Sequence, residues 1–143
     1  RVTVNGTLMA LTTSIQVVPG AASTLNSSLT LSSGTVASGS TINVTAVIRD
    51  SNNNAISGGV LVAFNKSGGT SSGSFSPVIN AGSGTYTSTY LGITAGTAQI
   101  ITVSVDGVTL GFAPTIQVVP GPVNVANSSL VISAPTVTSG SFV

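Results

Sequence analysis

Apolar and polar residues alternate with a period of two through most of this chain, and nowhere with the period of a helix. Ile42, Val44, Ala46 and Ile48 interleave with Thr41, Asn43, Thr45 and Arg49, the pattern of a half-buried strand. Asp50 to Asn54 (DSNNN) cannot continue it and reads as a turn, because Asn and Asp tolerate the left-handed conformation and bond their own backbone. Val60, Val62 and Phe64 form the next inward set, broken by Ser67-Gly68-Gly69. Gly73–Phe75 reads as a short strand ended by Pro77. Gly82-Ser83-Gly84 opens another, with Tyr86, Ser88 and Tyr90 on one face and Thr85, Thr87 and Thr89 on the other. Ile93 to Gly96 turns the chain into Ile101-x-Val103-x-Val105, and Asp106-Gly107 turns it again into a run from Val108 to Val119. Ser28–Leu31 supplies a short first strand. Seven short strands separated by turn signals predict an all-β immunoglobulin-like sandwich. Strand parity places Val44, Ala46, Ile48, Val62, Phe64, Tyr86, Ile101, Val103 and Val105 in the core, and Thr45, Arg49, Thr87 and Ser104 in solvent.

The pattern also repeats at long range. Ile15–Gly20 (IQVVPG) returns unchanged at Ile116–Gly121, an offset of 101 residues (116 − 15). At the same offset Asn26-Ser27-Ser28-Leu29 returns as Asn127-Ser128-Ser129-Leu130, Thr35-Val36-x-Ser38-Gly39-Ser40 as Thr136-Val137-x-Ser139-Gly140-Ser141, and Val2-x-Val4-x-Gly6 as Val103-x-Val105-x-Gly107. A fixed long period marks tandem modules. Residues 1–21 are expected to be the last two strands of one repeat, with Asn5-Gly6 as their hairpin turn and a second strand running from Thr7 to Val18. Residues 22–121 make a complete repeat, and 122–143 the start of another. Position 1 aligns with Thr102 and position 143 with Ile42, both within strands, so the sequence is expected to be a window on a longer array. The repeated VVPG is expected to be a short, stiff linker, since Pro fixes φ and Gly permits a sharp turn.

Asp50-x-Asn52-Asn53-Asn54-x-Ile56-x-Gly58 followed by Val60-x-Val62-x-Phe64 resembles a pattern of bacterial Ig-like domains of the invasin/intimin (Big-1) type. Gly73-Ser-Phe-Ser-Pro77, Gly82-Ser-Gly84-Thr-Tyr86, Thr94-Ala-Gly96-Thr97 and Val103-x-Val105-x-Gly107 follow in that family's order, so the resemblance spans about Asn26 to Val119. Asn53-Asn54-Ala55 stands where the family usually has Gly-Asn-Pro, and charges are far fewer than usual. The resemblance implies an extracellular, cell-surface protein whose domains stack as a stalk. It carries over no catalytic or ligand residue.

Composition narrows the function further. Only 3% of residues are charged, against about 25% in ordinary soluble domains, while 41% are hydrophobic. A net charge of +1 from Arg1, Arg49, Lys66 and two carboxylates cannot neutralise a run of phosphates, which excludes nucleic acid as a partner. A surface so close to neutral favours association, including self-association in a fibre. No stretch is long and apolar enough to insert in a membrane.

Catalysis needs titratable groups at close quarters, and the sequence has no His, no Cys and no Glu. Asp50 and Asp106 each occupy a predicted turn, where an Asx-turn accounts for both. The many Ser and Thr lack a base to activate them. A calcium cage needs six to eight oxygens with several carboxylates, more than a repeat supplies, so no metal and no cofactor are expected. Lys66 beside a Gly-rich loop reads as a solvated lysine rather than a crosslinking one. Asn-x-Ser/Thr sequons at Asn5, Asn26, Asn43, Asn65 and Asn127 are candidate glycosylation sites; Asn26 and Asn127 are equivalent positions beside the repeat junction. The Thr85/Thr87/Thr89 row is a candidate flat hydroxyl array for a glycan or for ice, or else the plain solvent face of a strand.

Three functions follow. The first is a non-catalytic stalk or filament module of a microbial surface protein, its partners being neighbouring repeats of the same chain. The second is an adhesin module that recognises a host protein or surface glycan. The third is an accessory domain of a secreted hydrolase. A binding role would call for exposed aromatic or Arg clusters. Phe64, Phe75, Tyr86, Tyr90 and Phe112 fall at inward or ambiguous positions, which favours the first.

Overall fold

A computed structural model describes residues 2–9, 14–133, 135–140 and 142. The first strands, β1 (Val2–Val4) and β2 (Thr7–Met9), pair antiparallel across Asn5 and Gly6, both at positive φ (49° and 79°). Asn-Gly tolerates that left-handed pair, and its twist matches the strands it joins. The remaining strands are β3 (Ser28–Leu31), β4 (Thr35–Ala37), β5 (Thr41–Val47), β6 (Val62–Ser67), β7 (Ser72–Phe75), β8 (Ile79–Gly82), β9 (Thr85–Thr94), β10 (Gln99–Val105), β11 (Val108–Thr109) and β12 (Thr115–Val119).

Two five-stranded sheets result. In one, β3, β5 and β9 run antiparallel in that order, and β7 and β8 share the far edge of β9. In the other, β10 is central: β6 lines one edge, β11 and β12 divide the other, and β4 pairs parallel with β12. The core lies between them. All nine residues that parity assigns inward are buried, with Val44, Ala46, Ile48, Ile101 and Val103 at 0% exposure. The two buried tyrosine hydroxyls find partners: Tyr86 donates to the Ile56 carbonyl and Tyr90 to Gln99 Oε1, each at 2.9 Å. Phe75 packs edge-on against Tyr90 (5.1 Å) and, tilted, against Phe64 (5.9 Å).

The structure departs from the sequence reading at several points. Ser104 is buried, not solvent-facing. Its parity is right, but the Asn65 amide reaches over from β6 and donates to its Oγ at 3.2 Å. Thr45, Arg49 and Thr87 are half-buried. The run from Val108 to Val119 is broken: Leu110 N donates to Val103 O and Ile101 N to Pro114 O, so the residues between loop out of the ladder. Pro114 has no N–H with which to continue it. Strands β4 and β8 were not expected. The strand predicted from Thr7 to Val18 ends at Met9; residues 10–13 lie outside the described residues, and Ile15–Val18 are exposed and form no strand. Their copies at 116–119 are held by β4 on one side and by Gln99–Ile100 on the other, whereas Ile15–Val18 pair with no strand among the described residues. Likewise Ser129–Ile132, the copy of β3, pairs with no strand among the described residues, with Leu130 92% exposed. The expected strand positions 1 and 143 lie outside the described residues.

Candidate functional site

The chain enters the sandwich at one end and leaves at the other. At the N-terminal pole, the turn after β5 carries Asp50, whose carboxylate is a hub. Oδ1 accepts from Asn52 N (2.9 Å) and Asn54 N (2.8 Å). Oδ2 accepts from Gly20 N (2.9 Å) and Asn54 Nδ2 (3.0 Å). Asn53 completes the turn in the left-handed region at φ 66°. The Asp50 carbonyl accepts from Asn26 Nδ2 (2.8 Å), and Ser23 N donates to Arg49 O (2.8 Å). Asp50 is 2% exposed. The Asn54 side chain, then the Gly20 N–H, hold its pKa at about 2 against an ordinary 3.8, outweighing the cost of burial. Four N–H donors, with no cation among them, keep this charge in place. The Asx-turn expected from sequence is therefore present, and it does a second job: it clamps the last residue of the repeated VVPG.

Asp106 sits in the turn between β10 and β11 with Gly107 (φ 49° and 82°), and its carboxylate accepts from Leu61 N across the sheet at 2.7 Å instead of forming the Asx-turn expected there. Between the Gly20 linker and this turn lies an apolar groove of about 220 Å³ lined by Ala21, Ile56, Val60, Val105, Val108 and Leu110 among others. Sequence reasoning missed this groove. Leu25, Leu61 and Val108, which crown this pole, are 96%, 73% and 66% exposed. At the opposite pole Ser38 N donates to Val119 O (2.9 Å) and Gly96 N to Val118 O (3.0 Å), so β12 is fastened down to the last residue before Pro120-Gly121.

The other candidate residues are scattered. Asn43, Thr45, Thr87 and Thr89 line a depression of about 260 Å³ on the outer face of the first sheet, walled by Ser76 and Ile79. Asn5 sits in the β1–β2 turn, Asn43 is exposed on β5, and Asn127 ends a single 3-10 turn, Val125–Asn127, also exposed. The amide of Asn26 is committed to Asp50, and that of Asn65 to Ser104. Lys66 is exposed, and its ammonium donates to the Gly73 carbonyl 6.0 Å from the Tyr90 ring centroid. Among the described residues no three His, Cys, Asp or Glu side chains gather as metal ligands.

Residues 23–121 match the family described as Invasin, domain 3. Among solved structures the chain is similar to the adhesin InvE of Yersinia pseudotuberculosis, at 36% identity and a TM-score of 0.62, over 71% of this chain and 28% of that one. It is similar to the Escherichia coli adhesin FdeC at 25% identity and a TM-score of 0.65, over 72% and 33% of the two chains. InvD of Yersinia pseudotuberculosis follows at 31% identity and a TM-score of 0.58, over 73% and 30%. In each case the match spans about a third or less of the other protein. No curated protein sequence matches the chain.

Proposed function

Because this chain belongs to the invasin domain 3 family of bacterial Ig-like domains, we propose that it is a non-catalytic spacer: successive 101-residue sandwiches (116 − 15) joined end to end as a stalk or filament outside the cell. The observation that carries this reading is the position of the two ends of the complete repeat. Gly20 is bound at the pole formed by the Asp50 and Asp106 turns, and Gly121 leaves beside Ser38 at the opposite pole. Each added repeat therefore adds length rather than bulk. Chemistry agrees, since among the described residues both carboxylates accept from amide N–H groups and none of their partners is a hydroxyl.

Imaging of the full-length protein tests this. Ten residues of β9 span about 33 Å, so with its turns each repeat adds about 40 Å to a narrow rod. A globular particle in which repeats cluster side by side would refute the stalk.

An adhesive role is the second reading. It is favoured by the adhesins InvE and FdeC among similar structures and by the hydroxyl-lined depression on the outer face. Glycan-array binding that is lost in Thr87→Ala would establish it.

A further inference from the structure

Gly20 and Gly121 are the same residue of successive repeats, 101 positions apart (121 − 20), yet each shows a different half of the junction. Gly20 N is held by Asp50 Oδ2 of the repeat that follows it, at 2.9 Å. Gly121 packs so closely on the repeat that precedes it that a Cβ there would lie 2.8 Å from Ser38 O. Combined on one glycine of an array, the two contacts would join both sandwiches and leave no free linker between their poles. Ser38 Oγ in turn donates to the Ile93 carbonyl at 2.6 Å, which places Ile93 at the joint. Its side chain is 52% exposed at that pole. The groove at the receiving pole begins at the same glycine and is lined by Ile56, Val60, Val108 and Leu110.

From this we infer that the N-terminal groove is the seat for Ile93 of the preceding repeat, so that consecutive sandwiches abut through an apolar contact. The inference rests on the stacked-repeat reading and names the surface that stiffens it. Exposed Leu25, Leu61 and Val108 around the groove are then covered in the array, which accounts for apolar side chains standing in solvent at one pole. The Asp50 hub fixes the direction of the incoming chain, and Ile93 fixes the rotation.

These 143 residues contain no cysteine, so an introduced pair meets no competing thiol within the repeat. In the full-length protein, Ile93→Cys in one repeat is combined with Val108→Cys in the next. Within a single repeat these positions lie at opposite ends of β10, roughly 20 Å apart, and cannot bridge. Under mild oxidation the inference predicts an intrachain disulfide between consecutive repeats, located by peptide mass. No disulfide, or only an interchain one, in a protein that still images as a rod overturns the groove contact and leaves the stalk standing. A wild-type protein that is not a rod overturns both. A second variant, Val108→Asp, alters an exposed side chain and leaves each repeat folded by circular dichroism. It should widen the spread of inter-repeat angles about twofold, because a charge cannot enter an apolar seat. An unchanged spread contradicts the inference.

Discussion

Asp50 shows how much one side chain can do when its partners are backbone donors. Because its pKa in the folded chain (about 2) lies below its ordinary value of 3.8, its stabilisation is complete above pH 4 and fades as pH falls toward 2. Unfolding by urea should therefore show a midpoint that drops over that interval. In Asp50→Asn the midpoint should be lower at neutral pH and flatter in acid; an equal acid slope in both proteins would remove Asp50 from the account. Phe64, 8% exposed and packed on Phe75, tests the core. Phe64→Ala should cost about 3–5 kcal/mol in chemical denaturation. At this scale the sequence was legible wherever a strand alternates cleanly, as in β5 and β10. It misled at Ser104, because parity gives the face of the sheet but not the Asn65 side chain that crosses over it.

Strands were legible when their own residues carried the signal and hidden when a neighbour created them. The apolar beats of β5, β6 and β10 announce themselves. By contrast β4 is three residues, Thr-Val-Ala, and is a strand because β12 lies parallel to it. Strand β8 similarly depends on β9, with which it pairs, since Ile79-Asn80-Ala81-Gly82 has little pattern of its own. The reverse holds at Ile15–Val18, where a good β sequence is exposed and pairs with no strand among the described residues. The groove and the Gly20 clamp were invisible for the same reason, being assembled from four separated segments. The edge strand β6 carries one charge, Lys66, in a chain with only three basic residues. Charged residues on edges discourage pairing with other chains. Lys66→Val should thus raise the rate of aggregation, measured by light scattering, well before any loss of secondary structure; unchanged scattering would assign edge protection elsewhere.

At the scale of the whole molecule, the low charge and the two opposed chain ends suit an assembled, neutral rod. Since nothing in a repeat resembles a carboxylate cage, a chelator should leave the melting temperature unchanged, and a fall of many degrees would point to a bound ion. Force spectroscopy on the full-length protein tests the central claim most directly. If the protein is a series of independent 101-residue sandwiches (116 − 15), pulling on its ends should give a train of evenly spaced unfolding events. Each should release roughly 320 Å of chain, the extended length of one repeat less its folded span. A single event, or events of unrelated length, would contradict a stalk built from this repeat.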